Sequence, residues 1–131
     1  MFSKVKKIKE KKNKSKIVCL TAYSKNIVEE VDKFTDLILV GDSLGSVLYN
    51  YKSTRQVTLK KMIEHSKSVR LGISKSLMIV DMPYNTYRNK AEALKNCKKV
   101  MKETKCDGVK LEGGLRTVSY THLTLPTTPY V

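Results

Sequence analysis

Asp42, Asp81, Lys110 and Glu112 are the residues whose types and spacing could do chemistry. Each closes an aliphatic run. Leu37-Ile38-Leu39-Val40 stops at Gly41-Asp42-Ser43, Leu77-Met78-Ile79-Val80 stops at Asp81-Met82-Pro83, and Gly108-Val109-Lys110-Leu111-Glu112 stops at Gly113-Gly114. In parallel α/β folds, ligands bind just past the carboxyl ends of the strands. Lys110 and Glu112 are two residues apart, so both project to one face of a strand while Val109 and Leu111 project to the other. Carboxylates converging on one point repel each other unless a cation joins them. Carboxylate and water oxygens suit Mg²⁺ or a similar hard ion, and a nearby lysine suits a substrate carboxylate. The same spacing also permits a quieter arrangement, with Asp42 and Asp81 capping loops and Lys110 paired with Glu112. Spacing alone does not choose between the two.

The elements that must position these residues follow from periodicity. Ile17–Ala22 is the first strand candidate. Ser24 can cap a helix in which Ile27, Val28, Val31 and Phe34 form one face. The second strand covers Leu37–Gly41, and Leu44–Tyr51 is irregular or a short helix. Thr58 caps the next helix, with Leu59, Met62, Ile63, Ser66, Val69 and Ile73 on one face and Gly72 near its end. After the third strand, Asn89 or Lys90 opens a helix with Ala93, Leu94, Cys97, Val100 and Met101 inward, and the fourth strand is Gly108–Glu112. The order β-α-β-α-β-α-β implies a parallel sheet, either a barrel or a doubly wound layer.

Composition narrows the classes. The chain has 131 residues, 40% of them hydrophobic, enough for one core. No apolar run approaches a membrane span, and no secretory signal is visible. Cys19, Cys97 and Cys106 are odd in number and lack metal-site spacing, which fits reduced thiols in a cytoplasm; Cys19 reads as a small buried residue. The net charge is +14, and residues 1–16, with eight lysines and Glu10, supply half of it (8 − 1 = +7). That lead reads as a solvated, mobile segment with at most a turn or two of helix around Val5 and Ile8. A basic patch can serve nucleic acid, but the cations are 22 Lys against 4 Arg, and Arg is preferred for phosphate and base contacts. The expectation is therefore no nucleic-acid partner and no membrane.

In order and spacing, Gly41-Asp42-Ser43-Leu44-Gly45, Asp81-Met82-Pro83 and Val109-Lys110-Leu111-Glu112-Gly113-Gly114 resemble the ketopantoate hydroxymethyltransferases. Leu20-Thr21-Ala22-Tyr23, and Ser53-Thr54 with Val57-Thr58, add to the resemblance, which spans roughly Lys16 to Gly114. It implies a (β/α)₈ TIM barrel of the phosphoenolpyruvate/pyruvate superfamily, of which about the first half is present. It also implies transfer of a hydroxymethyl group from 5,10-methylenetetrahydrofolate to 3-methyl-2-oxobutanoate, giving 2-dehydropantoate in pantothenate biosynthesis. By matching position, Asp42 and Asp81 would hold Mg²⁺, with Glu112 completing the shell directly or through water. Asp42, Ser43 and Asp81 would meet the keto acid, and Lys110 would bind its carboxylate. The family's glutamate base and a substrate-contacting histidine belong to later strands. His65 matches a family histidine but lies off its helix's apolar face, and is read as structural. Ser24 stands where the family often has Asp, and Asn50 and Lys52 replace the usual Gly and Asp. The full-length relative is expected to be a cytoplasmic homo-oligomer.

Residues 117–131 change character, with five threonines, two prolines and no lysine or acid. The segment Val118–Thr128 resembles a translated transposon-end sequencing adaptor, so this tail, His122 included, is read as non-native. The expected division is a basic lead over 1–16, four strands and three crossover helices over 17–116, and the tail over 117–131. A chain without the base is expected to be inactive by itself. Three other readings stay open: another superfamily enzyme acting on phosphoenolpyruvate or oxaloacetate, a basic nucleic-acid-binding module, and a short binding protein that keeps the metal site without catalysis. A half barrel leaves its first and fourth strands as unpaired edges. These 131 residues expressed alone are thus expected to be poorly soluble or molten, and a sharp two-state melt of the isolated monomer would refute this.

Overall fold

The computed structural model describes residues 2–113. Residues 117–131, read as a non-native tail, lie outside the described residues. Four parallel strands form one sheet: β1 (Cys19–Thr21), β2 (Leu37–Val40), β3 (Leu77–Asp81) and β4 (Gly108–Lys110). Their spatial order is β1-β2-β3-β4, the same as their order in the chain. A doubly wound sheet reverses its order at a switch point. This one does not, so it is an arc of a barrel.

The register decides which residues share a face. Leu39 pairs with Ile79, Ile79 with Gly108, and Asp81 with Lys110. Leu37, Leu39, Ile79, Asp81 and Lys110 therefore point to the concave side. Ile38, Val40, Met78 and Val80 point the other way and are fully buried. Covering them are α2 (Lys25–Val31), α4 (Leu59–Gly72) and α5 (Lys90–Thr104).

The helical periods read from the sequence place the core well. Thr58 caps α4 by accepting from the Lys61 amide, and Met62, Ile63, Ser66 and Val69 are buried. Asn89 caps α5 by accepting from the Glu92 amide, and Ala93, Cys97, Val100 and Met101 are buried. Gly72 is required by close approach. A Cβ there would lie 2.3 Å from Val28 Cγ1 and 2.7 Å from the Lys25 carbonyl.

Several expectations are corrected. The helix after β1 ends at Val31 and tightens into a 3₁₀ turn over Asp32–Phe34. The tighter turn rotates Phe34 off the apolar face, leaving it 69% exposed, and Ile27 is exposed as well. Ser24 precedes α2 but makes no side-chain cap; its hydroxyl donates to Asn26 Oδ1. Cys19 is exposed, because β1 is an edge and Leu20 beside it is 43% exposed. The basic lead contains a nine-residue helix, α1 (Phe2–Glu10), where a mobile segment was expected. Lys4 Nζ donates to the Ser76 carbonyl at 2.9 Å, and Lys11 pairs with Asp36 at 2.8 Å. Ser76 and Asp36 immediately precede β3 and β2, so α1 lies against the amino ends of the strands.

Asp32 ties the sheet together at that end. Its carboxylate accepts from the amides of Ser74, Lys75 and Ser76 and from the Ser74 hydroxyl, all at 2.8–2.9 Å. Burial pushes the carboxyl up, but these hydrogen bonds outweigh it and hold it well below the usual aspartate range.

Asp32→Asn sets an amide donor against backbone donors, and the Lys75 and Ser76 amides should lose about ten- to a hundredfold in hydrogen-exchange protection. Because the folded pKa is lowered, Asp32 stabilises fully above about pH 3.9. That contribution should fade as the pH falls toward the folded value, and the Asn variant should lack this acid limb. Gly72→Ala should cost about 1–3 kcal/mol by chemical denaturation, since backbone as well as side chain must yield.

Candidate active site

The concave face ends in a cavity of about 340 Å³ at the carboxyl ends of the strands, lined by Asp42, Asp81 and Glu112 with Thr54, Arg55 and Tyr87. Gly41 continues the inward parity of Leu37 and Leu39. A Cβ on it would sit 3.1 Å from Ser43 Oγ and 3.4 Å from Asp81 Oδ2. The missing side chain lets those two groups approach the same point. The chain then turns into α3 (Leu44–Tyr49), with Asp42 at the mouth.

The acids are brought together as their positions in the sequence suggested. The Asp42 amide donates to Asp81 Oδ2 at 3.2 Å, joining the ends of neighbouring strands. Lys110 Nζ donates to Asp81 Oδ1 and to Glu112 Oε1, each at 2.7 Å. Lys110 thus pairs with Glu112, as the quieter reading had it, but it also holds Asp81, which that reading did not include. Among the described residues, no three acidic, histidine or cysteine groups close around one point tightly enough to hold a metal ion.

The electrostatics are uneven. Burial raises the Asp42 carboxyl, and repulsion from Asp81 and Glu112 raises it further, against Lys110 and a hydrogen bond from Thr54. Burial disfavours the Lys110 charge, yet the hydrogen bonds to Asp81 and Glu112 prevail and push it up to about 12. Asp81 and Glu112 are satisfied by one ammonium, while Asp42 faces excess negative charge. Carboxylate oxygens are the donor type a hard divalent cation takes, and Asp42 and Asp81 stand at adjacent strand ends.

Ser43 occupies the N-cap position of α3, but its side chain makes no capping bond. Its hydroxyl meets Tyr23 Oη at 2.7 Å. His65 is half-buried, between the Tyr23 carbonyl and the Tyr49 hydroxyl, which agrees with its reading as a structural residue. Sequence reasoning did not single out Tyr23, Arg55, Tyr84 or Tyr87 as site residues. Arg55 stacks 4.6 Å from the centre of the Tyr84 ring, and Tyr87 is raised by burial beside Glu112. The signal for Tyr23 was its place two residues past β1, at the same sheet end as Asp42.

Comparison with known proteins places this geometry. A family model described as ketopantoate hydroxymethyltransferase matches residues 3–125, which takes in α1 and runs into the threonine-rich segment. A 3-methyl-2-oxobutanoate hydroxymethyltransferase of Pelagibacter ubique is 62% identical over 118 residues, covering 90% of this chain and 46% of that protein. Proteins of the same name from Agrobacterium fabrum and Anaplasma marginale are 49% and 48% identical over 108 residues, covering 82% of this chain and 39% of each relative. The chain therefore spans less than half the length of these curated relatives. With a match over nearly its whole length and the acids at the strand ends where the motifs set them, the chain belongs to the ketopantoate hydroxymethyltransferase family.

Proposed function

We propose that this chain provides the metal- and keto-acid-binding portion of a hydroxymethyltransferase that uses 5,10-methylenetetrahydrofolate and 3-methyl-2-oxobutanoate to form 2-dehydropantoate. The observation that carries the reading is the juxtaposition of Asp42 and Asp81 at adjacent strand ends, with Lys110 beside them.

In this reading Asp42 and Asp81 hold Mg²⁺, and Glu112 supports the shell directly or through water. An ion held there would supply Lewis acidity to a carbonyl of the substrate. Lys110, released in part from Asp81, binds the keto acid's carboxylate, and Ser43 donates to the substrate beside it. Together these contacts would orient the keto acid for transfer of its C3 proton to a base. The base is a group from other strands of the barrel.

The enzyme works in the cytoplasm as a homo-oligomer. No helix among the described residues is long and apolar enough to cross a membrane. Lys4 and Lys11 of the basic lead are engaged with Ser76 and Asp36, which favours packing over nucleic-acid binding as the lead's role.

A chimera joining residues 1–114 to the C-terminal remainder of the Pelagibacter ubique relative tests the assignment. It should form 2-dehydropantoate only when Mg²⁺ is supplied. Asp42→Asn and Asp81→Asn should each lower kcat/KM by about a hundredfold or more and abolish Mg²⁺ binding in calorimetry. Lys110→Met should raise the keto acid's KM by about tenfold. Turnover that persists in chelator would remove the metal from the reading. Use of phosphoenolpyruvate or oxaloacetate instead would favour a different superfamily reaction.

A further inference from the structure

Ser43 opens a helix without capping it, and its hydroxyl has another partner. From that observation we infer that Tyr23 is a positioning residue: its phenol donates to Ser43 Oγ and so leaves the serine proton free for an anionic oxygen of the substrate. The inference rests on the reading that Ser43 meets the keto acid, and it adds the group that sets the direction of the Ser43 hydroxyl.

The direction follows from donor and acceptor rules. The Tyr23–Ser43 contact of 2.7 Å can run either way in isolation. A carboxylate or keto oxygen only accepts. Ser43 can donate to it only if Tyr23 is the donor in the contact between them. A phenol is also the more acidic hydroxyl, and so the better donor. Phenylalanine at position 23 would leave the Ser43 proton without a fixed direction.

Tyr23 is itself held from behind. His65 Nδ1 lies 2.8 Å from the Tyr23 carbonyl, and a carbonyl only accepts, so Nδ1 carries the proton. In the neutral ring Nε2 then accepts from the Tyr49 hydroxyl at 2.7 Å. Lys61 Nζ stands 3.6 Å from the centre of the Tyr49 ring and holds it in place. Tyr49 is the last residue of α3, whose first residue follows Ser43. The contacts therefore form a closed circuit: Ser43, α3, Tyr49, His65, Tyr23 and back to Ser43. Both ends of α3 are fixed by it, and the Tyr23 ring packs against the core. The Tyr23→Phe change keeps that packing and removes only the donor.

A double-mutant cycle in the chimera described above tests this. Tyr23→Phe should raise the KM for 3-methyl-2-oxobutanoate about fivefold, the weight of one neutral hydrogen bond, with the change in KM exceeding that in kcat. Ser43→Ala should raise KM at least as much. In the Ser43→Ala background Tyr23→Phe should add less than a further twofold, because the group it orients is gone. Full additivity would overturn the inference, as would a silent Tyr23→Phe alongside an impaired Ser43→Ala. If Ser43→Ala itself leaves KM unchanged, the placement of Ser43 against the keto acid fails first, and the role of Tyr23 fails with it.

Discussion

The sheet depends on a buried carboxylate at the end opposite the chemistry. Asp32 sits in the 3₁₀ turn before β2, yet its four hydrogen bonds go to Ser74, Lys75 and Ser76, at the entrance to β3. Ser76 returns the connection by donating to the carbonyls of Asp32 and Thr35. The entrances to two neighbouring strands are thereby tied. With the entrances fixed, Leu37 must pair with Leu77, and the parity of every residue further along is decided. A slip of one residue would turn Asp81 to the helices and put Val80 on the concave face. The separation of Asp42 and Asp81 is thus set, at the opposite end of the strands, by groups that never touch the site.

Carboxylates gather at both ends of this sheet, and their surroundings separate their roles. At the amino ends each acid takes backbone donors that the parallel ladder leaves over. Asp36 accepts from the Val18 amide, and Asp107 accepts from the Met78 amide. Each of these bonds reaches one strand across. At the carboxyl ends the acids face one another, and Asp42 is raised by burial and by its neighbours Asp81 and Glu112. Backbone donors can satisfy a carboxylate completely, and then nothing is left for a ligand. Asp36 and Asp107 are also balanced by Lys11 and Arg70, whereas Asp42 faces like charges.

Much of this was legible in the sequence because two periods were clean. The spacing of Met62, Ile63, Ser66 and Val69, and of Ala93, Cys97, Val100 and Met101, marked the buried helix faces. The aliphatic runs marked the strands, and the acids at their ends marked the site. What was hidden had no local signature. Phe34 fits the helical period, but the chain tightens after Val31 and the residue swings outward. Cys19 sits in an apolar run that lies on an edge. Lys4 and Lys11 look like part of a solvated lead because their partners, the Ser76 carbonyl and Asp36, are 72 and 25 residues away in the chain. Tyr23, Tyr49 and His65 form a circuit only when three separate segments meet, which no spacing rule announces.

The sequential order of the strands also bears on how the molecule is made. Each strand lies beside the one synthesised before it, so a chain leaving the ribosome can add strands one at a time, each onto a template already present. Few distant segments have to find each other, which favours fast growth of the arc. β1 is the exception. Its outer edge can be paired only by a strand that closes the circle, and until then Leu20 and Cys19 face solvent. The interval between the first strand and closure is therefore when a nascent chain is most exposed to pairing with a neighbouring one.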